Sequence, residues 1–459
     1  MSPRCKITGV SSFSKAKRLL LVVMALSLLP APAFSKEKET ASKEKEGPFF
    51  QFLATLGGGM VHREGFGAFD LALTGAGKGF YVTAVAPIRF DHNGLRVKDW
   101  DELNDYGRII GEVRYGERGD KYHAAVAPIK AWHLGTGFLV SGYESTIDYE
   151  HWRTGLVGSF SWLAAGFDLF MDSVINPSVF GLRLAVRPLF WIDGDGIAGR
   201  LEFGFSAVAD IFSPKSKTAS GLNKAGVPIH ETSLLVAGGI DFRYPVVRSK
   251  RLEVTPYAAW GRVATGDGAQ IGLAIQTAFK WFSFGFLGEW QWLGQGYTAN
   301  YFDQAYMVDR HTFTTIPKRV ALESMTHPRM GMRLGLSLGF DPFVTTWIML
   351  DLDQIGEFNT FGAGLEIKLW EMARVSASLY TRGFTTPPAF VKPERTLGSL
   401  TASVRFLEYC EVFASYFRDL TFSTTEVGNW NPSDSFMLGV RVGFQVPIVT
   451  EDDQQPKKP

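Results

Sequence analysis

Cysteine is almost absent from this chain of 459 residues, which carries only Cys5 and Cys410. Cys5 lies in a segment that we expect to be removed, so one thiol remains and no intramolecular disulfide can form. The chain also lacks an excess of charge, because 47 basic residues face 46 acidic ones. The fold must therefore hold without disulfides, and no electrostatic field indicates nucleic acid as a partner.

Long apolar runs and catalytic motifs are lacking as well. Beyond the first 35 residues, no stretch of 18 consecutive apolar residues is present that could form a transmembrane helix. The 8 histidines form no HExxH or similar closely spaced motif. Asp193–Gly196 lacks the later glutamate that would complete a calcium loop. These absences argue against an enzyme, and we expect neither a cofactor nor a metal site.

The N-terminal residues have the pattern of a targeting segment. Basic residues, among them Lys17 and Arg18, precede the apolar run Leu19–Leu29, and small residues follow as far as Ser35. A basic region, a short apolar core and an Ala-x-Ser site are typical of a secretory signal peptide, with an uncleaved anchor as the alternative. We therefore predict a signal peptide over residues 1–35 and Sec-type export.

The chain does contain a series of short segments in which apolar and polar residues alternate. In Met330–Phe340, large apolar side chains occupy every second position, and glycine, serine or arginine stand between them. The same period of two recurs in Phe361–Trp370, Val375–Arg382, Leu400–Phe406 and Phe436–Phe444. A period of two indicates β-strands with one apolar face. Segments of about ten residues are long enough to cross a bilayer at a tilt.

The links between these segments favour a membrane barrel over a soluble β-sandwich, which also alternates. Short and long links tend to follow one another, as expected when short turns face the periplasm and long loops face outside. We predict an all-β fold, a transmembrane antiparallel up-and-down β-barrel of about 20 strands, with about 18 as the alternative. The predicted divisions are a signal peptide (1–35), a charged periplasmic tether (36–47), the transmembrane β-barrel (48–449) and a polar periplasmic tail (450–459).

One stretch carries a resemblance to a known class of protein. It runs from Asp99 to Gly155 and includes the sequences DYGRIIGEVRYG, GTGFLVSGY and DYEHWRTG. The mature chain resembles porin-like β-barrels of the bacterial outer membrane. This resemblance implies a Gram-negative outer membrane as the location, with outer-membrane lipid and the barrel-assembly machinery as partners. The chain departs from the class in its ending, because Phe444 is followed by further residues instead of closing the sequence.

If the apolar strand faces meet lipid, the opposite faces line the lumen. The predicted basic lumen residues are Arg89, Arg108, Arg114, Arg183, Arg187, Arg333, Lys368, Arg382, Arg405 and Arg441. The predicted acidic lumen residues are Glu202, Asp210, Asp241, Glu253, Glu289, Asp351, Asp353 and Glu366. We predict that the two signs are segregated into a basic arc and an acidic arc. Salt bridges that hold neighbouring strands together are the alternative.

A barrel of this size is too wide for side chains alone to fill, so its lumen holds water or inward-folded loops. The longest predicted loop is rich in aromatic residues, and it is the candidate constriction. Its named residues are Tyr297, Tyr301, Phe302, Asp303, Tyr306, Asp309 and Arg310. We expect a porin-like channel for passive or weakly selective diffusion of small hydrophilic solutes. The alternative is a barrel for surface-polymer export, adhesion or structural support without an open channel.

Overall fold

The chain forms a closed antiparallel β-barrel. The structure is a computed structural model that describes residues 48–61, 63–146, 152–223, 227–313, 316–370, 372–384, 395–407, 409–422 and 430–447. The predicted signal peptide (1–35), tether (36–47) and polar tail (450–459) lie outside the described residues. Within the described ranges, no helix is long and apolar enough to cross a membrane.

Twenty strands make up the barrel wall, and each pairs with the next strand along the chain. They are β1 (Phe49–Val61), β2 (Glu64–Gly77), β3 (Phe80–Asp91), β4 (Ile110–Tyr115), β5 (Tyr122–Ala127), β6 (Gly155–Trp162), β7 (Ala165–Met171), β8 (Val179–Val186), β9 (Glu202–Pro214), β10 (Thr232–Arg243), β11 (Leu252–Val263), β12 (Gly266–Ala278), β13 (Ser283–Leu293), β14 (Arg329–Phe340), β15 (Val344–Asp353), β16 (Thr360–Leu369), β17 (Ala373–Arg382), β18 (Thr396–Leu407), β19 (Cys410–Phe422) and β20 (Trp430–Pro447). Strand β1 also pairs with β20, from Phe49 opposite Pro447 to Met60 opposite Phe436, and this closes the barrel. The predicted fold class and strand number are confirmed.

The remaining regular elements are short. Among the described residues, three helices lie in links between strands: α1 (Phe190–Asp193), α2 (Tyr306–Asp309) and α3 (Lys318–Glu323). The 3-10 turns are Val97–Asp99, Leu103–Ile109, Ala198–Arg200 and Gly356–Phe358. The short strands Gly94–Leu95 and Val247–Arg248 pair with β3 and β11, and Gly221–Leu222 pairs with Pro228–Ile229.

The register of the strands puts the apolar residues outside and the polar residues inside. Arg333 of β14 stands opposite Glu289 of β13 and Asp351 of β15, and all three side chains point into the barrel. Outward positions are apolar and exposed, as at Leu56 and Leu438, which are 67% and 57% exposed. An apolar exterior around a polar interior is the architecture of barrels that span a membrane. The predicted resemblance to porin-like outer-membrane barrels is therefore confirmed at the level of architecture.

The two ends of the barrel differ, and we name them the turn end and the loop end. The turn end carries residue 49, residue 447 and links that are mostly of two to eight residues. The loop end carries the two longest links, residues 128–154 and 294–328. Three links break the pattern, because 187–201 at the turn end includes α1 and the links 62–63 and 264–265 at the loop end have only two residues each.

Exposed tryptophans mark both ends of the outer surface. Trp162, Trp281 and Trp370 lie at the turn end, whereas outward-facing Trp260 and Trp290 lie toward the loop end. Indole rings concentrate at the levels where a bilayer meets water. The apolar band between these two levels is the surface that lipid would cover.

Candidate functional site

The described parts of two long links fold into the barrel. We call residues 128–146 and 152–154 loop A and residues 294–313 and 316–328 loop B, and together they form the plug. A short bridge joins them, with the amide of Phe302 donating to Leu139 O and the amide of Ser141 donating to Phe302 O, both at 3.1 Å. These hydrogen bonds satisfy backbone groups that would otherwise be buried without partners. The two loops therefore behave as one packed body.

The plug has an apolar core that it shares with one side of the barrel wall. Val140 and Tyr143 of loop A pack with loop B residues and with inward-facing wall residues such as Phe170, Val208 and Leu235. Loop B contributes the buried aromatic residues Tyr297, Tyr301, Phe302 and Tyr306. The ring centroids of Phe302 and Tyr306 are 4.6 Å apart. Burial of so many aromatic side chains fixes the plug against strands β7 to β13.

Polar contacts anchor loop B to strand β9. Asp210 of β9 is fully buried, and it accepts hydrogen bonds from Tyr306 Oη at 2.6 Å and Arg310 Nη2 at 2.7 Å. Arg310 also donates to Ser178 Oγ at 2.9 Å. The Asp210 carboxylate accepts hydrogen bonds from both the Tyr306 phenol and the Arg310 guanidinium. It therefore holds these two predicted constriction residues against the wall.

A second set of contacts anchors the plug to strands β14 to β17. Arg333 donates to Ser141 Oγ at 2.6 Å in loop A and to Asn300 Oδ1 at 3.0 Å in loop B. Arg329 donates to the backbone oxygen of Tyr297 at 2.6 Å. Arg382 of β17 pairs with Asp309 of loop B. The plug is therefore tied to opposite sides of the wall.

The predicted segregation of lumen charges is wrong for the described residues, because the basic residues have acidic partners nearby. Arg183 pairs with Asp241 at 2.6 Å and with Glu202 at 2.8 Å, and both acids lie on adjacent or nearby strands. Further pairs are Arg89–Asp99 at 3.0 Å, Arg114–Glu112 at 3.0 Å, Arg329–Asp353 at 2.8 Å, Arg333–Asp351 at 3.4 Å, Lys368–Glu366 at 3.4 Å, and Arg441–Glu411 at 2.9 Å. Glu289 instead accepts from Tyr257 Oη at 2.6 Å. The alternative of salt bridges between neighbouring strands describes the pairs of Arg183 with Glu202, Arg329 with Asp353, Arg333 with Asp351 and Arg441 with Glu411.

Four predicted lumen residues lie away from the middle of the wall. Arg108 is in the 3-10 turn Leu103–Ile109 and pairs with Asp105 at 3.1 Å, because the chain there turns before β4 begins. Arg187 follows β8 and pairs with the exposed Asp195 at 2.7 Å in a turn-end link. Arg405 is exposed beside an irregularity in the β18–β19 pairing, and Glu253 pairs with Arg248 at 3.6 Å. These residues belong to the rims of the barrel.

A cavity of about 1140 Å³ remains between the plug and the wall. At the turn end it touches Glu117 and Asp120, and toward the loop end it touches Phe313 and Phe358. This large cavity therefore extends as a single space between residues near both ends of the barrel. A smaller cavity of about 260 Å³, lined in part by Arg374, Arg441 and Glu411, lies against β17 to β20 near the turn end.

The lining of the large cavity carries many charged side chains and is slightly acidic. Its nine acidic residues are Glu112, Glu117, Asp120, Glu144, Asp168, Asp303, Asp309, Asp351 and Asp353. Its six basic residues are Arg114, Arg118, Lys130, Lys318, Arg333 and Arg382. Several of them lie in links, where no alternation of residues could have assigned them to the lumen. Sequence reasoning therefore missed Arg118, Lys130, Glu144 and Lys318.

Burial shifts the pKa values of several plug side chains. Burial raises the pKa of Glu144 to about 7, and the charge of Lys130 and the hydrogen bond from Gln304 oppose this shift. Burial lowers the pKa of His133 well below its usual value, and its Nδ1 accepts the Gly142 amide at 3.0 Å. The cavity-lining carboxyl of Glu144 is therefore placed to change charge near neutral pH.

The raised pKa of Glu144 predicts a pH-dependent ion preference. The carboxyl is ionised above about 7 and neutral below, so the cavity loses a negative charge as pH falls from about 8 to about 6. We expect the reversal potential in a salt gradient to move toward weaker cation preference over this range. Glu144→Gln should abolish the movement, whereas Glu231→Gln, an exposed glutamate outside the cavity, should keep it. An unchanged pH dependence in Glu144→Gln would assign the titration to another group.

Two sequence features that bear on catalysis can be checked in the described part of the chain, a metal-ligand cluster and a GxSxG spacing. No group of three or more His, Cys, Asp or Glu side chains is arranged there to hold a metal ion. Ser337 stands in a GxSxG spacing, Gly335–Gly339, but these residues lie within strand β14. A nucleophile elbow needs a sharp strand-to-helix turn, so this spacing carries no catalytic serine.

Comparison with known proteins finds solved structures that match this chain at low sequence identity and low TM-score. The chain matches no protein-family model, and it matches no curated protein. It is similar to the outer membrane protein opdK from Pseudomonas aeruginosa, with 9% identity over 87% of this chain and 99% of that chain and a TM-score of 0.33. It is also similar to OccAB4 from Acinetobacter baumannii, with 11% identity over 89% of this chain and 100% of that chain and a TM-score of 0.33. The copper transporter OprC matches with 11% identity over 87% of this chain and 81% of that chain and a TM-score of 0.34.

Proposed function

We propose that this protein is an outer-membrane channel that passes small hydrophilic solutes by passive, weakly selective diffusion. The observation that carries the proposal is the large polar cavity, which touches residues near both ends of the barrel. A plug that served only to close the barrel would have no need of a continuous polar space beside it. Aqueous solutes need such a lining, because a dry apolar gap would exclude them.

The outer surface supports the proposed location. An exposed apolar band between two levels of tryptophan suits a bilayer. On a soluble protein, so large an apolar surface in contact with water would be unfavourable. With both described chain ends at the turn end, that end would face the periplasm after export, and the long links would face outside. The plug would then enter the lumen from the outer side.

Single-channel recording in a planar bilayer tests the proposal. The refolded barrel should give discrete ohmic steps that are small for a barrel of this strand number, because the plug fills much of the cross-section. Folding should be verified independently by the β-sheet circular dichroism spectrum of the same sample. Folded protein that gives no current would reject the channel and favour export, adhesion or structural support.

The path of ions can be assigned by comparing two arginines. Arg382 lines the large cavity and pairs with Asp309, whereas Arg441 lines the small cavity and pairs with Glu411. Arg382→Gln removes a positive charge from the proposed path, so the reversal potential should shift toward cation preference. Arg441→Gln is the matched control and should leave the reversal potential nearly unchanged. Equal shifts in both variants would contradict a single path through the large cavity.

A further inference from the structure

One tryptophan points into the lumen from the wall opposite the core of the plug. Trp347 of β15 has the same orientation as Asp351 and lines the large cavity. It stands opposite Gly364 of β16 in the register. The side chain is only partly buried, although a large apolar ring inside a polar, water-filled space gains little from that position.

Two glycines of β16 let the indole ring lie against the wall. A Cβ built on Gly364 would overlap the five-membered part of the Trp347 ring. A Cβ on Gly362 would come within 3.0 Å of Cζ3 in the six-membered part. Glycine within a strand is often found where another group approaches closely. The ring therefore spans both glycines with one face on the sheet, and its other face borders the cavity.

The cavity that this face borders also carries, toward the loop end, groups that suit a neutral polyhydroxylated solute. The same cavity presents the amides of Gln291 and Asn300 and the hydroxyls of Thr298 and Thr360. The nearest charge on the same face of the wall, Glu366 of β16, is paired with Arg374 at 2.7 Å and with Lys368 at 3.4 Å. Arg333, farther along the wall, is engaged with Asp351 at 3.4 Å and with plug side chains. Paired charges and amides donate to and accept from hydroxyl groups without favouring a net charge on the solute.

We propose that the indole face of Trp347 is a docking platform for neutral sugars, with a pyranose ring stacked on it during passage. A pyranose has one face of C–H groups that can cover the indole and a rim of hydroxyls that can hydrogen-bond to polar groups of the lumen. This inference rests on the proposed channel function and names the solute class that the lumen recognises. The platform lies toward the turn end, so a sugar would reach it after passing the plug.

Maltotriose is the probe that tests the platform. Added to wild-type channels in a planar bilayer, it should reduce the current in a concentration-dependent way. Trp347→Ala should raise the half-blocking concentration about tenfold, as expected from the loss of an aromatic stacking contact. Gly364→Ala should weaken the block in the same direction, because its methyl group displaces the ring. Trp290→Ala, which removes an outward-facing indole, is the matched control and should leave the block unchanged.

Calorimetric titration of the detergent-solubilised barrel with maltotriose separates this inference from the channel function. Binding that is lost in Trp347→Ala supports the platform even if no current is seen, in which case only the channel proposal fails. Conducting wild-type channels that neither bind maltotriose nor are blocked by it would overturn the sugar platform alone. Block by L-arginine or benzoate that depends on Trp347, without block by maltotriose, would also overturn it.

Discussion

Replacing residues 297–311 of loop B by a short glycine-serine linker is expected to raise the single-channel conductance several-fold. These residues contribute four buried aromatic side chains to the plug core, so their removal empties part of the lumen. Loop A would also lose its backbone partners Phe302 and Asn300, and Arg333 would lose the Asn300 side chain to which it donates. A barrel of 20 strands has an interior wide enough for an aqueous channel once its loops are removed.

A deletion elsewhere at the loop end provides the control. Residues 219–229 include a short hairpin that does not line the cavity, and replacing them with the same linker should leave the conductance unchanged. Both variants should be compared for β-sheet content and for resistance to unfolding in detergent before recording. A folded loop B variant with wild-type conductance would mean that the plug does not narrow the conducting path.

The alternation of residues was enough to predict the wall of the barrel. Segments such as Met330–Phe340 and Val375–Arg382 lie within strands β14 and β17, because lipid outside and water inside enforce a period of two. Strands β4 and β5 have only six residues each, and so short an alternation is hard to distinguish from chance. The loops that complete the barrel near them carry no such pattern.

The contents of the lumen could be predicted only in part. The aromatic residues of loop B drew attention to it, but their partners are far away in the chain, as Arg310 and Asp210 are 100 residues apart. The prediction that basic and acidic lumen residues form separate arcs was wrong for a different reason. The strand register places Arg441 directly opposite Glu411, and Arg183 directly opposite Asp168. Cross-strand pairs of opposite charge stabilise a sheet, so mixing of the signs was the physically favoured outcome.

Trp347 illustrates what a single sequence conceals. Its strand shows the expected alternation, yet the platform depends on glycines at two positions of the next strand, Gly362 and Gly364. Their relation to the indole follows from the register between β15 and β16, and a slip of one residue would remove it. A wall glycine opposite a lumen tryptophan is thus a pattern that becomes visible only when the pairing is known.

Asp210→Ala is expected to loosen the plug without unfolding the barrel. The substitution leaves Arg310, which is 4% exposed, without its carboxylate, and it removes the acceptor of Tyr306. Breaking a buried ion pair by removing one partner costs roughly 3–5 kcal/mol. The free energy that is lost is that of the attachment of loop B to the wall, because Arg310 and Tyr306 both belong to loop B. We expect noisy channels with additional open levels, and faster hydrogen exchange at the amides of loop B.

Two further variants decide whether the effect comes from the orphaned charge. In Asp210→Leu combined with Arg310→Met, both charges are replaced by apolar groups of similar size, so the plug should regain much of its stability. Asp195→Ala breaks an exposed pair with Arg187 at a turn-end link and should change stability by about 1 kcal/mol or less. If Asp210→Ala channels show no added current noise and the loop B amides exchange hydrogen at the wild-type rate, aromatic packing alone holds the plug in place. If current noise appears in Asp210→Ala and disappears in the double variant Asp210→Leu with Arg310→Met, the buried ion pair of Asp210 holds loop B in place and keeps the lumen narrow.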